Sequence, residues 1–274
     1  MSHNPIWTDS RPSLSIVTVS FNSVETLTDT INSVLGQKYE NFEHIIVDGG
    51  STDGTIELIQ KFEGNYRGRL KWISESDGGI YDAMNKGVAL ATGDIVGILN
   101  SDDLYTDPDV LTDIVSTFVE HNCEILYADL IYVDRTDLDV TRRVWTAGEG
   151  TFARGWSPPH PTLYMRKSVY EQNGWYKTNY KISADYDYML RLFTPKACPK
   201  ASYLRRTIVK MRLGGESTRN FRSNILAFRE AQQSLENYHV RAPYVVNALR
   251  VLRKLVQLRS VTMNVRLATH YKDR

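Results

Sequence analysis

The chain has 274 residues, enough for one large α/β domain with a smaller extension, since domains usually run to roughly 100–200 residues. Its composition, 42% hydrophobic and 24% charged, is that of an ordinary globular protein, and no stretch approaches the roughly 18 apolar residues of a membrane-spanning helix. The net charge of +1 is uneven, because residues 241–274 hold eight Lys or Arg residues and a single acid, Asp273. The rest of the chain is mildly acidic, which argues against a nucleic-acid partner.

The start of the chain and its two cysteines bear on cellular location. Residues 1–11 are polar and show neither a basic leader nor the roughly 7–15 apolar residues at the centre of a signal peptide. We therefore expect a cytoplasmic protein with a disordered N-terminal segment at residues 1–12. Cys123 and Cys198 lack Cys-x-x-Cys spacing, so we expect reduced thiols rather than a disulfide or a zinc site.

Short β-rich runs alternate with helical periods through the first half of the chain. This alternation predicts βαβ units, and hence an α/β fold with a mostly parallel sheet. In chain order the predicted elements are a strand at 14–19, a helix capped by Asn22 and ended by Gly36, a strand at 44–47, a helix through Ile56, Ile59 and Phe62, a strand at 70–73, a helix over 80–88, a strand at 95–99, and a helix over 110–119 opened by Asp107-Pro108.

The second half of the chain is less regular. Its patterns predict strands at 125–127, 130–133 and 203–213, and a short helix with Ser183 as its N-cap. From Phe221 onward the periods are helical, and the last stretch interleaves apolar residues with Arg and Lys. This is typical of a basic amphipathic helix, which is attracted to anionic lipid headgroups; packing on the acidic body is the alternative.

Polar clusters lie after three successive predicted strands, at the edge where open parallel sheets bind ligands. Carboxylates grouped at such an edge repel one another unless a cation compensates them. Mg²⁺ or Mn²⁺ held by one or two carboxylates would leave coordination positions for the two phosphates of a diphosphate. Each cluster alone is also common turn chemistry, but three at successive strand ends favour a binding site. The clusters are Asp48-Gly49-Gly50-Ser51-Thr52-Asp53, Ser76-Asp77-Gly78-Gly79 with Asp82 and Asn85, and Asn100-Ser101-Asp102-Asp103.

Two familiar nucleotide-binding classes are disfavoured by the residues after the first strand. Phe21-Asn22-Ser23 stands where a dinucleotide-binding oxidoreductase would have Gly-x-Gly-x-x-Gly, and the chain has no Walker-type Gly-x-x-x-x-Gly-Lys-Ser/Thr. A Gly-rich loop with Arg and Lys, expected of a sugar nucleotidyltransferase, is missing there as well. A diphosphate ligand would therefore need another kind of site.

The set of motifs, in this order, resembles the family 2 glycosyltransferases. The matching segments are Ile16-Val17-Thr18-Val19-Ser20-Phe21-Asn22, residues 47–55, and Leu99-Asn100-Ser101-Asp102-Asp103, while residues 77–87 resemble the version found in a subgroup associated with bacterial O-antigen and exopolysaccharide assembly. The resemblance implies a GT-A fold, with a Rossmann-like nucleotide-binding sheet, over residues 13–215. Residues 13–105 would form the nucleotide-sugar-binding half, 106–215 the acceptor-side half, and 216–274 the C-terminal basic helices.

The resemblance also implies roles for individual residues and a nucleotide-sugar donor, with UDP-sugars favoured over GDP- and dTDP-sugars. Asp102 would bind a divalent metal, Mn²⁺ or Mg²⁺, with Asp103 beside it. The segment 213–217 resembles the Gly-Gly-x-Ser loop of the same subgroup, whose amides would lie over the diphosphate; a flexible turn is the alternative. This sequence departs from the usual pattern at Asn100 and Gly49, where many members have Asp. The implied donor-binding residues are Asp48, Gly49, Asp77, Asp82, Asn85, Asn100, Ser101, Gly215 and Ser217.

The acceptor hydroxyl needs a general base, and Ser183-Ala184-Asp185-Tyr186-Asp187 resembles the Glu-Asp segment that carries it in the family. Asp185 matches the catalytic Asp, and Ala184 replaces the Glu. A place in the first helical turn favours an ionised carboxylate. Asp187 as the base, or Asp185 as an ordinary helix-start acid, are the alternatives. Trp156 and His160, on a Pro-rich loop, are candidate acceptor contacts, although a lone His is often only structural.

Together these observations predict an inverting, non-processive glycosyltransferase that uses a divalent metal. The acceptor would be a glycan or a polyprenyl-diphosphate-linked glycan of bacterial surface polysaccharide synthesis. The basic C-terminal helix would bring the protein to the cytoplasmic face of the inner membrane. The alternatives are a sugar nucleotidyltransferase and a non-catalytic carbohydrate-binding protein of the same fold, the latter because of the departures at Gly49, Asn100 and Ala184.

Overall fold

The computed structural model describes residues 11–193, 198–214 and 221–253. Nine strands and seven α-helices are bounded in these ranges. The strands are β1 Leu14–Ser20, β2 Phe42–Asp48, β3 Leu70–Ser74, β4 Ile95–Ile98, β5 Leu104–Tyr105, β6 Ile125–Val133, β7 Thr141–Trp145, β8 Tyr164–Arg166 and β9 Ala201–Arg212. The helices are α1 Leu27–Leu35, α2 Thr55–Phe62, α3 Ile80–Leu90, α4 Val110–His121, α5 Lys167–Asn173, α6 Ala184–Leu192 and α7 Phe221–Asn237. Residues 243–253 are also helical and are called the tail helix below.

One sheet forms the centre of the described structure, in the order β3-β2-β1-β4-β8-β6-β9-β5, with β7 paired to the far part of β6. Strands β1 to β4 are mutually parallel, and β8 is antiparallel to both β4 and β6. All seven residues of β1 are buried, as expected of a parallel strand with both faces covered. Because Ser20 lies opposite Asp48, and Asp48 opposite Ser74, the polar clusters at the ends of these strands meet at one edge.

Helix α3 lies directly on β1, and a glycine permits this approach. A Cβ added to Gly87 would lie 2.2 Å from a methyl carbon of Val17, far inside van der Waals contact. The helix therefore packs with its backbone close to the sheet, and its first turn lies at the carboxyl edge of the strands. This geometry brings Asp82 to the turn after β3 and the Tyr81 hydroxyl to the start of α6.

The predicted α/β architecture is confirmed, but several local predictions were wrong. Helix α1 starts at Leu27 with Thr26 as its N-cap, whereas Asn22 has a positive φ of 49° and its side chain accepts a hydrogen bond from the backbone of Thr52. Pro108 precedes α4, whose N-cap is Asp109. One strand, β6, replaces the two predicted over 125–133.

The described ends of the chain pack on the body. Pro12 is buried, and its carbonyl accepts a hydrogen bond from the Tyr39 hydroxyl at 2.5 Å, so this residue packs on the body, unlike the disorder expected of residues 1–12; residues 1–10 lie outside the described residues. The tail helix lies against the loop after β7: a Cβ on Gly155, whose φ is +70°, would lie 2.6 Å from the backbone nitrogen of Arg250. No helix within residues 11–193, 198–214 and 221–253 has the length and apolarity needed to cross a bilayer.

Candidate active site

Three residues from the ends of β1, β2 and β3 meet at the carboxyl edge of the sheet, and we call this group the donor edge: Phe21, Gly49 and Asp77. A Cβ on Gly49 would lie 2.8 Å from Asp77 Oδ2 and 3.3 Å from the Phe21 ring, so a larger residue at this position would displace the Asp77 carboxylate. The Phe21 ring is 63% exposed. Asp77 Oδ1 accepts a hydrogen bond from the amide of Gly79 at 2.8 Å. An open aromatic face beside a carboxylate is suited to stacking and hydrogen bonding a nucleoside.

Asp48 supports the donor edge from behind rather than facing outward. It is fully buried, and its Oδ2 accepts hydrogen bonds from the Gly50 and Ser51 amides and from the Ser74 hydroxyl at 3.1, 2.9 and 2.7 Å. Through these hydrogen bonds the Asp48 carboxylate holds the turn after β2 in its conformation. The expected contact of Asp48 with a base or ribose would therefore require it to exchange partners.

Asp82 and Asn85, both on α3, have different surroundings. Asp82 Oδ2 accepts a hydrogen bond from the Gly78 amide at 3.0 Å, and this bond lowers the pKa of the carboxyl, with Lys86 at 3.4 Å contributing. Asn85 donates to the Tyr176 carbonyl at 2.8 Å and accepts from the Tyr176 amide at 2.9 Å. Both polar atoms of Asn85 are thus occupied, and it connects α3 to the loop after α5 rather than presenting a face to the donor edge.

The cluster after β4 contains two adjacent carboxylates, one partly buried, Asp102, and one fully buried, Asp103. Asp103 is fully buried, and burial together with the neighbouring Asp102 charge raises its pKa well above the usual range. Burial also raises the pKa of Asp102, against the opposing charges of Arg212 and Arg135. Asn100 donates to Asp103 Oδ2 at 3.1 Å, and the Ser101 hydroxyl lies 2.9 Å from that of Ser23. The departure at Asn100 therefore supplies a donor to a buried carboxylate.

The oxygens of this cluster fit a hard cation, although few of them are carboxylates. Within the described ranges no group of three or more His, Cys, Asp and Glu side chains comes together to hold a metal. In the same ranges Asn100 Oδ1 and Asp103 Oδ1 are buried acceptors with no hydrogen-bond partner. Buried acceptors of this kind are rare unless water or an ion satisfies them. Mg²⁺ and Mn²⁺ are commonly bound by one or two carboxylates plus substrate phosphates, and Asp102 with these neighbours matches that donor set.

Helix α6 presents its two acids in opposite directions. Asp185 is partly exposed, and its Oδ1 accepts hydrogen bonds from the Tyr186 amide at 2.8 Å and from the Tyr81 hydroxyl at 3.3 Å. Asp187 is fully buried, forms an ion pair with Lys177 at 3.0 Å and accepts from the Tyr238 hydroxyl at 3.3 Å. Of the two, Asp185 is the carboxylate open to an incoming hydroxyl, so the geometry favours it over Asp187 as a base.

The two candidate acceptor contacts are core residues. Trp156 is 5% exposed, packs edge-on against Tyr127 and Phe152, and donates to the Ala147 carbonyl at 2.9 Å. His160 is 7% exposed, and its Nε2 lies 3.0 Å from the Tyr176 hydroxyl. Burial lowers the pKa of His160, which keeps the ring neutral at pH 7. Packing against neighbouring rings takes up Trp156, so it offers no open aromatic face for the acceptor contact expected of it.

Some residues near the site had no role in the sequence interpretation. Phe21 belongs to the first motif, but its type alone does not show that it is exposed. Arg250 on the tail helix is half-buried and lies over the ring of Tyr186, 4.8 Å from its centre. Glu230 on α7 hydrogen-bonds the turn before α6. No spacing rule connects positions so distant in sequence. Gly215 and Ser217, predicted to lie over the diphosphate, are outside the described residues.

Sequence relatives identify the family of this site. Residues 15–186 match the family described as Glycosyl transferase family 2. The Mycobacterium tuberculosis glycosyltransferase Rv1514c is 33% identical over 190 residues, which are 66% of this chain and 69% of that protein. A PGL/p-HBAD biosynthesis glycosyltransferase of Mycobacterium bovis is 31% identical over 192 residues, which are 68% of this chain and 72% of that protein.

Solved structures agree with the fold. The S. aureus TarS fragment 1–349 in complex with UDP-GlcNAc matches with a TM-score of 0.62 at 15% identity, over 89% of this chain and 92% of that one. The mannosyltransferase PcManGT from Pyrobaculum calidifontis, in complex with GDP-Man and Mn²⁺, matches with a TM-score of 0.62 at 18% identity. The match covers 89% of this chain and 70% of that one. The chain spans 40% of a longer TarS structure, with a TM-score of 0.60 at 20% identity. The fold is therefore GT-A, and the chain belongs to glycosyl transferase family 2.

Proposed function

We propose that the protein is an inverting, non-processive transferase that moves one sugar from a nucleotide sugar onto an acceptor hydroxyl, with Asp185 as the general base. The observation that supports this most directly is the first turn of α3. Tyr81 and Asp82 are adjacent residues in this turn. The Tyr81 hydroxyl lies near the Asp185 carboxylate, and the Asp82 carboxylate accepts a hydrogen bond from the turn after β3. One rigid helix thereby sets the distance between a candidate base and the donor edge, as a single displacement requires.

In the proposed reaction, Asp185 takes the proton of the acceptor hydroxyl as that oxygen bonds to the anomeric carbon. The bond from the anomeric carbon to the diphosphate oxygen breaks at the same time, and the nucleoside diphosphate leaves with the electron pair. An α-linked donor would give a β-linked product. Asp102, with Asp103 and Asn100 behind it, would bind a divalent ion that neutralises the charge of the departing diphosphate.

The donor edge suits the nucleoside of a UDP-, GDP- or dTDP-sugar, and we favour a UDP-sugar. Phe21 would stack on the base, and Asp77 would accept hydrogen bonds from the base or the ribose. Solved relatives bound to UDP-GlcNAc and to GDP-Man with Mn²⁺ support a nucleotide-sugar donor and a divalent metal for this chain. Asp48 and Asn85 would then act from behind, by shaping the turns that carry the contacting groups.

For the acceptor we propose a lipid-linked glycan of cell-surface polysaccharide synthesis, used at the cytoplasmic face of the membrane. A relative named for PGL/p-HBAD biosynthesis supports a cell-envelope product. The tail helix supports a peripheral membrane contact, because Tyr244, Val245 and Leu252 are 67%, 59% and 54% exposed. Basic residues such as Arg253 flank this apolar surface, and each adds on the order of 1 kcal/mol near an anionic membrane.

The test of this function is nucleoside diphosphate release from a panel of UDP-, GDP- and dTDP-sugars with Mn²⁺ or Mg²⁺ and an extract of lipid acceptors. We expect release from one donor class, and we expect a chelator or the substitution Asp102→Ala to remove it. Asp94→Ala, which removes an exposed carboxylate just before β4 at the opposite edge of the sheet, serves as the matched control and should retain metal-dependent release. Pyrophosphate dependence would instead indicate a nucleotidyltransferase. Donor binding without turnover under every condition would indicate a carbohydrate-binding protein.

A further inference from the structure

Glu230 is a buried carboxylate on α7 that the proposed reaction does not use directly. It is 7% exposed, and it accepts hydrogen bonds from three consecutive backbone amides, those of Lys181, Ile182 and Ser183, at 2.8, 2.9 and 2.8 Å. Hydrogen bonds to a charged acceptor are roughly twice as strong as neutral ones. One side chain therefore fixes the whole turn at residues 181–183, which we call the entry turn of α6.

The entry turn does not cap itself. Ser183 is the N-cap residue of α6, as its sequence position predicts, but its hydroxyl makes no capping hydrogen bond and instead donates to the Ala227 carbonyl on α7 at 3.2 Å. Helix α7 therefore supplies both an acceptor for the Ser183 hydroxyl and the carboxylate that satisfies the amides. The conformation of the entry turn depends on a helix that begins 38 residues after it, at Phe221.

The same turn contacts the proposed active site from the other side. The Tyr81 hydroxyl donates to the Ile182 carbonyl at 2.5 Å and lies 3.3 Å from Asp185 Oδ1. Asp185 comes two residues after Ser183 and belongs to the first turn of α6. A shift of the entry turn would therefore move the Asp185 carboxylate relative to Tyr81, α3 and the donor edge.

We propose that Glu230 is a positioning residue for transfer: it fixes the entry turn so that the Asp185 carboxylate meets the acceptor hydroxyl. This inference rests on the proposed function, in which Asp185 is the base. Glu230 itself contacts no substrate. Its charge matters as well as its size, because a Gln at this position would retain one acceptor oxygen but would point an NH₂ group at backbone donors.

The test compares Glu230→Gln with Glu236→Gln, the same change on the same helix at an exposed residue whose carboxylate accepts a hydrogen bond from Gln232 on its own helix. We expect Glu230→Gln to lower kcat by about 10²-fold, the effect of displacing a catalytic group by roughly 1 Å. The donor KM should stay unchanged, because the donor edge lies on β1 to β3. Hydrogen exchange of the three entry-turn amides should become faster. Glu236→Gln should change none of these quantities.

Three outcomes would contradict this role for Glu230. An unchanged kcat in Glu230→Gln, in an enzyme that Asp185→Asn inactivates, would refute the positioning role and leave the proposed function intact. A loss of kcat accompanied by an equal loss of donor affinity would show a general structural role. Unchanged exchange at the entry-turn amides would refute the inference even if the wild-type protein transferred no sugar from any donor, a result that would separately refute the proposed function.

Discussion

At the scale of single residues, chemistry was easier to predict than orientation. Asp77 and Asp102 follow β3 and β4 at the carboxyl edge of the parallel strands, the edge at which such sheets bind ligands. Trp156 was expected to be open and lies in the core instead. Residue type fixes what a side chain can do, whereas the face it presents depends on packing partners that are distant in sequence, and those carry no local signal.

His44 on β2 shows how burial alone gives a titratable residue a measurable effect. Its ring is fully buried between the Thr18 and Tyr66 hydroxyls, and burial lowers its pKa to about 3 from a usual 6.5. The unfolded chain therefore binds a proton at His44 below pH 6.5, whereas the folded protein does not bind it until about pH 3. Folding stability should fall across this window as the pH falls, by about 1.4 kcal/mol per pH unit.

Urea unfolding at a series of pH values between about 7.5 and 5 would measure this slope. The variant His44→Asn, which keeps polar atoms but cannot titrate, should be less stable at neutral pH and should show a shallower dependence. Parallel curves for the wild type and the variant would show that His44 is not the source. His121 is exposed, so His121→Asn should leave the slope as it is in the wild type.

At the scale of elements, the helices and strands with strong hydrophobic periodicity could be predicted, and those without it could not. Helix α3 has eleven residues with a continuous buried face and was predicted correctly. Strand β8 has three residues and helix α5 has seven, and neither was predicted. Elements this short hold too few residues for a hydrophobic period to be recognised in the sequence, and they form because the surrounding sheet and helices bury them.

Helix α6 gives the sharpest element-level prediction, because its two acids lie on opposite faces. Asp185→Asn should reduce kcat by roughly 10²–10⁴-fold and leave the stability nearly unchanged. Asp187→Asn should leave kcat per folded molecule nearly unchanged and reduce the free energy of unfolding by about 1–3 kcal/mol, because it weakens a buried, charge-assisted bond to Lys177. Thermal unfolding and transfer assays on both variants would measure this, and a folded but inactive Asp187→Asn protein would reassign the base.

At the scale of the whole molecule, the sequence predicted a donor half and a basic tail, but not how the tail meets the body. The described tail helix buries Val246 and Asn247 on the body and keeps Tyr244, Val245 and Leu252 exposed. One face of the described tail helix packs on the body, and membrane binding by its exposed face stays a prediction. Hydrophobic periodicity alone cannot distinguish a packed face from an exposed apolar face, because two apolar stripes on a short helix look like one broad stripe in the sequence.

The exposed stripe predicts membrane binding that can be lost without loss of the fold. Val245→Glu with Leu252→Glu should reduce cosedimentation with vesicles that contain anionic lipid, because both side chains lose apolar contact and two positive charges are offset. The pair Glu236→Gln and Gln233→Glu, on α7, keeps the net charge and should bind as the wild type does. Vesicles of neutral lipid should bind the wild type weakly. Undiminished binding of the double Glu variant to anionic vesicles would exclude this surface.

The hydrogen bonds between Glu230 and the entry turn also affect the stage of synthesis at which the protein can become active. Chains grow from the N-terminus at roughly 5–20 residues per second, so the donor edge and α6 leave the ribosome before residue 230 has been added. A nascent chain at that stage would carry every group that touches the reactants and would lack the carboxylate that aligns the base. Activity would therefore begin only after α7 has packed on the entry turn, and the tail helix, which comes later in the chain, would emerge after the carboxylate that aligns the base.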